Sequence, residues 1–297
     1  MNRLTSLPAL LLLTLAAGCD GTQGPEDESS ASAASLESAW VPATAPQGTT
    51  YLRTRANGPV KAVHYADVDG TAVFEGDILL GRTSELSTRP GDVSAQGVAV
   101  TGTRYRWANA LVPYDIASDL ANTTRVTNAI KHWQERTRVR FVLRTSANAQ
   151  SYPNYITFRT STGCSSSVGM RGGQQFVNLA TGCSTGNTIH EIGHALGLWH
   201  EQSREDRNSF VTINFQNIQA GYEGNFNQQI SNGDDLGAYD YGSIMHYDAR
   251  AFSANGQPTI TVLKAGVTIG QRSALSSGDL QAIGTLYPAP TLAPGVE

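Results

Sequence analysis

The stretch Thr188–Arg207 reads TIHEIGHALGLWHEQSREDR and sets His190, Glu191, His194 and His200 at the spacing HExxHxxGxxH. Residues four apart on a helix share a face about one turn from each other, so the imidazoles of His190 and His194 reach a single ion. Glu191, directly after the first, faces the same ion as a base. A straight helix would carry position 200 away from that ion. Gly197 can take positive φ and end the helix, after which the chain can turn and bring His200 back. Three neutral imidazoles with an open fourth position form the catalytic zinc arrangement, in which a bound water is acidified to a pKa of about 7 and Glu191 would take its proton. A buried amphipathic helix with satisfied histidines would explain HExxH alone, but not a glycine and a third histidine in register with it.

Downstream, Ser243–Ile244–Met245–His246–Tyr247 resembles the methionine-containing turn beneath the metal in metzincins, in the version found in the astacin family. HEIGHALGLWHEQSREDR is similar to that family's signature, with Glu201 after the third histidine and Arg204, Asp206 and Arg207 behind it. The resemblance implies an α+β, zincin-like catalytic domain: an N-terminal mixed sheet with helices, then an irregular C-terminal subdomain ending in a helix. It implies a zinc metalloendopeptidase with one Zn2+ per chain, acting on a protein or peptide substrate. The metal would be held by His190, His194 and His200, with Met245 beneath it. Tyr247 would be a further ligand in the resting enzyme that swings away to stabilise the oxyanion, and a phenol suits both tasks.

Phe74–Glu75–Gly76–Asp77–Ile78 resembles the FxGD motif of astacin propeptides. The resemblance implies that Asp77 fills the open zinc position as a latency switch, since a carboxylate is a competent zinc ligand. Gly76–Asp77 also fits a plain turn between strands. Trp107–Tyr114 resembles the first strand of the catalytic domain, which puts the activation cut between Arg89 and Thr103. In the family the freed N-terminus folds toward the residue here numbered Glu201; an exposed Glu201 is the alternative. Family members also bridge the positions of Cys164 and Cys183, with two free thiols as the alternative. The family's other common bridge is missing, because Arg138 stands at its first cysteine and no cysteine follows Cys183. That loss predicts a C-terminal tail less tied down.

The chain of 297 residues is 40% hydrophobic, enough for one sizeable domain with an attached segment or for two small domains. A formal charge of −4 without a lysine or arginine run excludes nucleic acid as a partner. Met1–Gly18 reads as a signal peptide, with Arg3, an apolar run from Leu7 to Leu15, and small residues after it. Leu15–Cys19 resembles a bacterial lipobox, which predicts lipidation of Cys19 and a membrane anchor, with plain secretion as the alternative. Residues 19–50, rich in Ser, Ala, Gly and Pro, predict a flexible tether. Residues 51–100 form the expected propeptide, with apolar pieces at Val60–Tyr65 and Ala72–Leu80; residues 101–287 are the peptidase domain and 288–297 a loose tail.

Within the domain, Val126, Ala129, Ile130 and Trp133 give a helix over Asn122–Arg136, while Arg140–Arg144 and Tyr155–Arg159 alternate as strands. Ser165–Gly182 reads as a loop, and little regular structure is expected between the zinc helix and the methionine turn. Leu280, Ile283 and Leu286, with Asp279 near the start, predict a last helix over Ser276–Tyr287. A noncatalytic surface lipoprotein that keeps a metal for peptide binding or adhesion is the competing reading. Metal binding alone does not require Glu191, which speaks against it. The sequence carries no signal of oligomeric state.

Overall fold

A computed structural model describes residues 40–53, 60–90, 103–228 and 235–289. The expected signal peptide, Cys19 and most of the expected activation region lie outside the described residues.

The N-terminal segment is an antiparallel meander of β1 (Gln47–Arg53), β2 (Val60–Val68), β3 (Thr71–Phe74) and β4 (Ile78–Arg82). The apolar piece Ala72–Leu80 is thus two strands, broken by a turn at Glu75 and Gly76 with φ of 46° and 80°. Next come β5 (Leu111–Ile116), α1 (Thr124–Arg136), β6 (Arg140–Leu143), β7 (Tyr155–Thr160), β8 (Ser165–Ser166) and β9 (Gln174–Leu179). Strands β5, β6, β7 and β9 run parallel, and β8 lies antiparallel on β9. β4 joins β8 in parallel through Ile78 and Ser166, giving one mixed nine-stranded sheet in the order β1-β2-β3-β4-β8-β9-β7-β5-β6.

The helix α2 (Thr185–Leu196) packs with α1 against this sheet. Trp133 of α1 is fully buried and donates its indole N–H to Ile189 O at 3.1 Å, which fixes α2 relative to α1. Ile156, Phe158, Val177, Leu179, Ile189 and Ile192 fill the space between. At about 1.5–3 kcal/mol per fully buried side chain, this cluster is the main source of the domain's stability. Beyond α2 the chain is mostly irregular, as expected, apart from short 3-10 turns and the pair β10 (Val211–Ile213) and β11 (Ile260–Val262). Tyr222, Phe226, Tyr247 and Phe252 form an aromatic core in this half. The last helix, α3 (Ser277–Leu286), starts at Ser276 in a capping box with Asp279.

Three expectations are corrected. β1 begins inside the stretch read as a tether, and Val41 is buried among Tyr222 and Phe252 with Trp40 packed beside it. That stretch cannot build a core of its own but borrows one. Ser165–Gly182 is not all loop: its polar Gln174 and Asn178 lie in β9 and bond sideways to Thr157 and Ser165, a pattern that hydrophobic alternation does not reveal. The first strand of the domain starts at Leu111, after a short 3-10 turn over Ala108–Ala110. The chain is held at residues 287 and 288, and most of the expected tail, 290–297, lies outside the described residues. Arg138 donates to the carbonyls of Tyr287 and Pro288, and the buried Tyr287 donates its hydroxyl to Leu196 O at 2.9 Å. Cys164 and Cys183 form a disulfide, with a sequence separation of 19.

Candidate metal centre

Helix α2 is defined at both ends. Ser184 accepts from the Asn187 amide at 3.1 Å, and the Asn187 side chain accepts from the Ser184 amide at 2.9 Å. At the other end Gly197 takes φ 111°, and the amides of Gly197 and Leu198 close onto His194 O and Gly193 O. The reversal brings His200 against the helix: ring centroids lie 4.6 Å apart for His190–His194, 4.7 Å for His194–His200 and 5.4 Å for His190–His200. All three rings are fully buried.

Each ring has its Nδ1 against a group that can only accept. Nδ1 of His190 is 2.8 Å from Ile244 O, that of His194 is 2.8 Å from Leu198 O, and that of His200 is 2.8 Å from Glu75 Oε2. The proton therefore sits on Nδ1, and the Nε2 lone pairs are left to converge. They converge on Asp77, whose Oδ2 is 3.2 Å from Nε2 of both His190 and His200 and whose Oδ1 is 3.6 Å from Nε2 of His194. A tetrahedron of ligands about 2.1 Å from zinc has edges of about 3.4 Å, so these spacings and this N3O donor set fit zinc. Nε2 of His194 and Oδ1 of Asp77 are buried without a hydrogen-bond partner among the described residues, which a cation would resolve.

The charges agree. Burial would raise the Asp77 carboxyl, but the charge of His200 and the nearby rings of His190 and His194 outweigh it and hold the carboxyl well below the usual carboxylate range. Burial would lower His200, but the Asp77 and Glu75 carboxylates outweigh it and bring the metal-free ring up to about 9, so that a cation and a proton compete for its Nε2. Such a cluster calls for positive charge at its middle.

Asp77 is delivered by the turn between β3 and β4. The Ser166 amide donates to Asp77 O at 2.9 Å and the Trp40 indole donates to Gly76 O at 2.8 Å, so the turn is pinned on both sides. Gly76–Asp77 lies in a turn between strands, as one sequence reading has it, and the same turn brings the Asp77 carboxylate to the histidines. Glu191 is fully buried beside His190. Tyr247 packs on His200 with centroids 4.6 Å apart, and its hydroxyl donates to Glu75 O.

Met245 lies under the helix, so close that a Cβ at Gly193 would be 2.7 Å from its Sδ. The methionine turn is fixed by Asp279 of α3, which accepts from Ser243 Oγ at 2.7 Å and the Ile244 amide at 3.0 Å. Glu201 is not an exposed group: it accepts from the Asp240 amide at 2.7 Å and lies 3.6 Å from Arg204. Burial pushes its carboxyl up to about 8, against the Asp240 amide and Arg204, which favour its charge. Sequence reasoning missed Glu75, Gly193 and the role of Asp279 in the turn. The only available signal was a second carboxylate two residues before Asp77 and a small residue inside HEIGH.

A helix that stops at a glycine so that a third histidine can close on the first two is how metzincins build their metal site, and this fold is of that class. Comparison with known proteins narrows it. The peptidase family described as Astacin matches residues 99–288, and the chain belongs to that family. Zinc metalloproteinase nas-13 of Caenorhabditis elegans is 39% identical over 231 residues, 73% of this chain and 50% of that protein. Blastula protease 10 of Paracentrotus lividus is 35% identical over 72% of this chain and 38% of its own length. The chain thus spans half or less of these relatives. Among solved structures, high choriolytic enzyme 1, a hatching enzyme zinc-protease from Oryzias latipes, aligns with TM-score 0.56 and 37% identity, covering 61% of this chain and 92% of that one.

Proposed function

We propose that this chain is a zinc-dependent endopeptidase made as a latent precursor. The observation that carries the reading is the convergence of three Nε2 atoms on one point, with the Asp77 carboxylate already in it. His190, His194 and His200 would hold the metal. Zinc bound there supplies Lewis acidity toward a peptide carbonyl and acidifies water. Glu191 is the base that accepts the proton and hands it to the leaving amine. Tyr247, once released from Glu75 O, donates its hydroxyl to the developing oxyanion.

Residues before the peptidase domain act as the latency element: Asp77 fills the place that a nucleophile needs, and the Glu75 carbonyl holds the Tyr247 hydroxyl. A cut between Arg89 and Thr103 would free both and let the new N-terminus approach Glu201. We further propose that the chain is exported and, through Cys19, anchored by lipid. Cys19→Ser should move it from membranes to the soluble fraction, whereas a wild type already soluble removes the anchor.

The test of the activity is Glu191→Gln in the processed chain, with zinc content and peptide cleavage measured together. Metal retained with cleavage lost by at least about 10²-fold supports the mechanism; unchanged cleavage excludes it, and a wild type that binds zinc yet cleaves nothing favours the binding or adhesion reading.

A further inference from the structure

Among the three metal-site histidines, His200 is distinguished by its Nδ1 partner. His190 and His194 bond to neutral carbonyls supplied by Ile244 and Leu198 of the peptidase domain, whereas His200 bonds to a carboxylate, that of Glu75, from the N-terminal segment. Glu75 is fully buried, and both its oxygens are used: Oε2 lies 2.8 Å from His200 Nδ1 and Oε1 accepts from Ser203 Oγ at 2.7 Å. Its backbone sits at φ 46°, a conformation that costs a residue with a side chain about 1 kcal/mol. Burying a carboxylate on such a backbone is expensive unless its contacts return the cost. Nothing in latency by Asp77 requires this side chain, because the turn is made by the backbone of Glu75 and Gly76 and the plug by Asp77.

We propose that Glu75 is a positioning residue for the metal, whose carboxylate orients His200 and strengthens it as a ligand without touching the ion. A carboxylate behind a metal-bound imidazole fixes the Nδ1–H tautomer and raises the basicity of the opposite nitrogen. The N-terminal segment then does two separable things, since Asp77 occupies the site and Glu75 tightens its hold on zinc. Separation of this segment from the domain would take the acceptor from His200 and Ser203, so the uncut chain holds zinc more tightly than the processed one, beyond what the loss of Asp77 accounts for. This inference rests on the metal reading of the site and not on the latency reading.

The test is zinc affinity of the full chain by competition with a chromophoric chelator, in a Glu191→Gln background that keeps the chain uncut. Glu75→Ala should bind zinc about 10- to 100-fold more weakly. Glu75→Gln, the same shape without the charge, should fall between Glu75→Ala and the parent, and it guards against misfolding. The downfield proton resonance of a carboxylate-bonded His200 Nδ1–H, present in the zinc-loaded parent, should be lost in both, a signature that a packing role would not produce. Ser203→Ala, which removes only the other contact, should change affinity by less than about threefold. Affinities of Glu75→Ala and Glu75→Gln within twofold of a zinc-binding parent overturn the proposal. A parent that binds no zinc overturns the metal reading itself, and the proposal with it.

Discussion

Gly193 shows how tightly single residues are constrained around the centre. A methyl group there would lie 2.7 Å from Met245 Sδ, so the helix and the methionine turn meet only because that side chain is absent. Alanine is the better helix former by about 1 kcal/mol, yet Gly193→Ala should destabilise the chain by about 1–3 kcal/mol through overpacking. Denaturant melts with zinc chelated read this directly, and a neutral or stabilising result would place Met245 elsewhere. Gly186 is stricter, since its Cβ would fall 1.6 Å from the backbone oxygen of Arg272, which no rotamer can relieve. The histidines were legible because helical period and a helix-ending glycine are properties of adjacent sequence. Glu75 and Gly193 were not, because their importance comes from a loop that packs on them from far along the chain.

The elements that support the site do so through few bonds. Asp279 caps α3 and, with the same carboxylate, holds Ser243 Oγ and the Ile244 amide. Removing it by Asp279→Ala leaves buried donors without an acceptor and should cost about 2–4 kcal/mol. The melting temperature should fall and zinc affinity with it, because Ile244 O is also the acceptor for His190. Unchanged stability would mean the turn holds its shape unaided. The disulfide closes a loop with a sequence separation of 19, so Cys164→Ser with Cys183→Ser should cost about 3 kcal/mol in the same assay. In the latent-precursor reading, Asp77→Ala in the uncut chain should raise basal cleavage, and a mutant as silent as its parent would refute the switch. Among the elements, α1, α3, β6 and β7 were legible from their apolar spacing. β9 was not, because Gln174 and Asn178 satisfy neighbouring strands with amides, and Trp40–Thr50 was not, because its order depends on a surface made by the rest of the chain.

Over the whole molecule, the N-terminal meander and the peptidase domain share one sheet through the parallel pair Ile78 with Ser166, and are joined further by Asp77 and Glu75 at the histidines and by Val41 against Tyr222 and Phe252. The metal would therefore tie segment to domain as well as serve chemistry. Chelation should lower the stability of the uncut chain by about 3 kcal/mol relative to zinc held at a hundred times its dissociation constant, read as a shift in melting temperature; no shift would mean the cluster binds no ion. The fold class was legible from the zinc helix and methionine turn together, while the way the upstream strands extend the catalytic sheet was not, since pairing between distant edges leaves no local pattern. The central claim is that three imidazoles and one carboxylate meet on a single zinc ion. X-ray absorption at the zinc edge of the uncut chain tests it: the account predicts three imidazole nitrogens and one carboxylate oxygen at about 2.0–2.2 Å, with the imidazoles retained in Asp77→Ala. Fewer than three imidazoles, or a spectrum unaltered by His200→Ala, would contradict it.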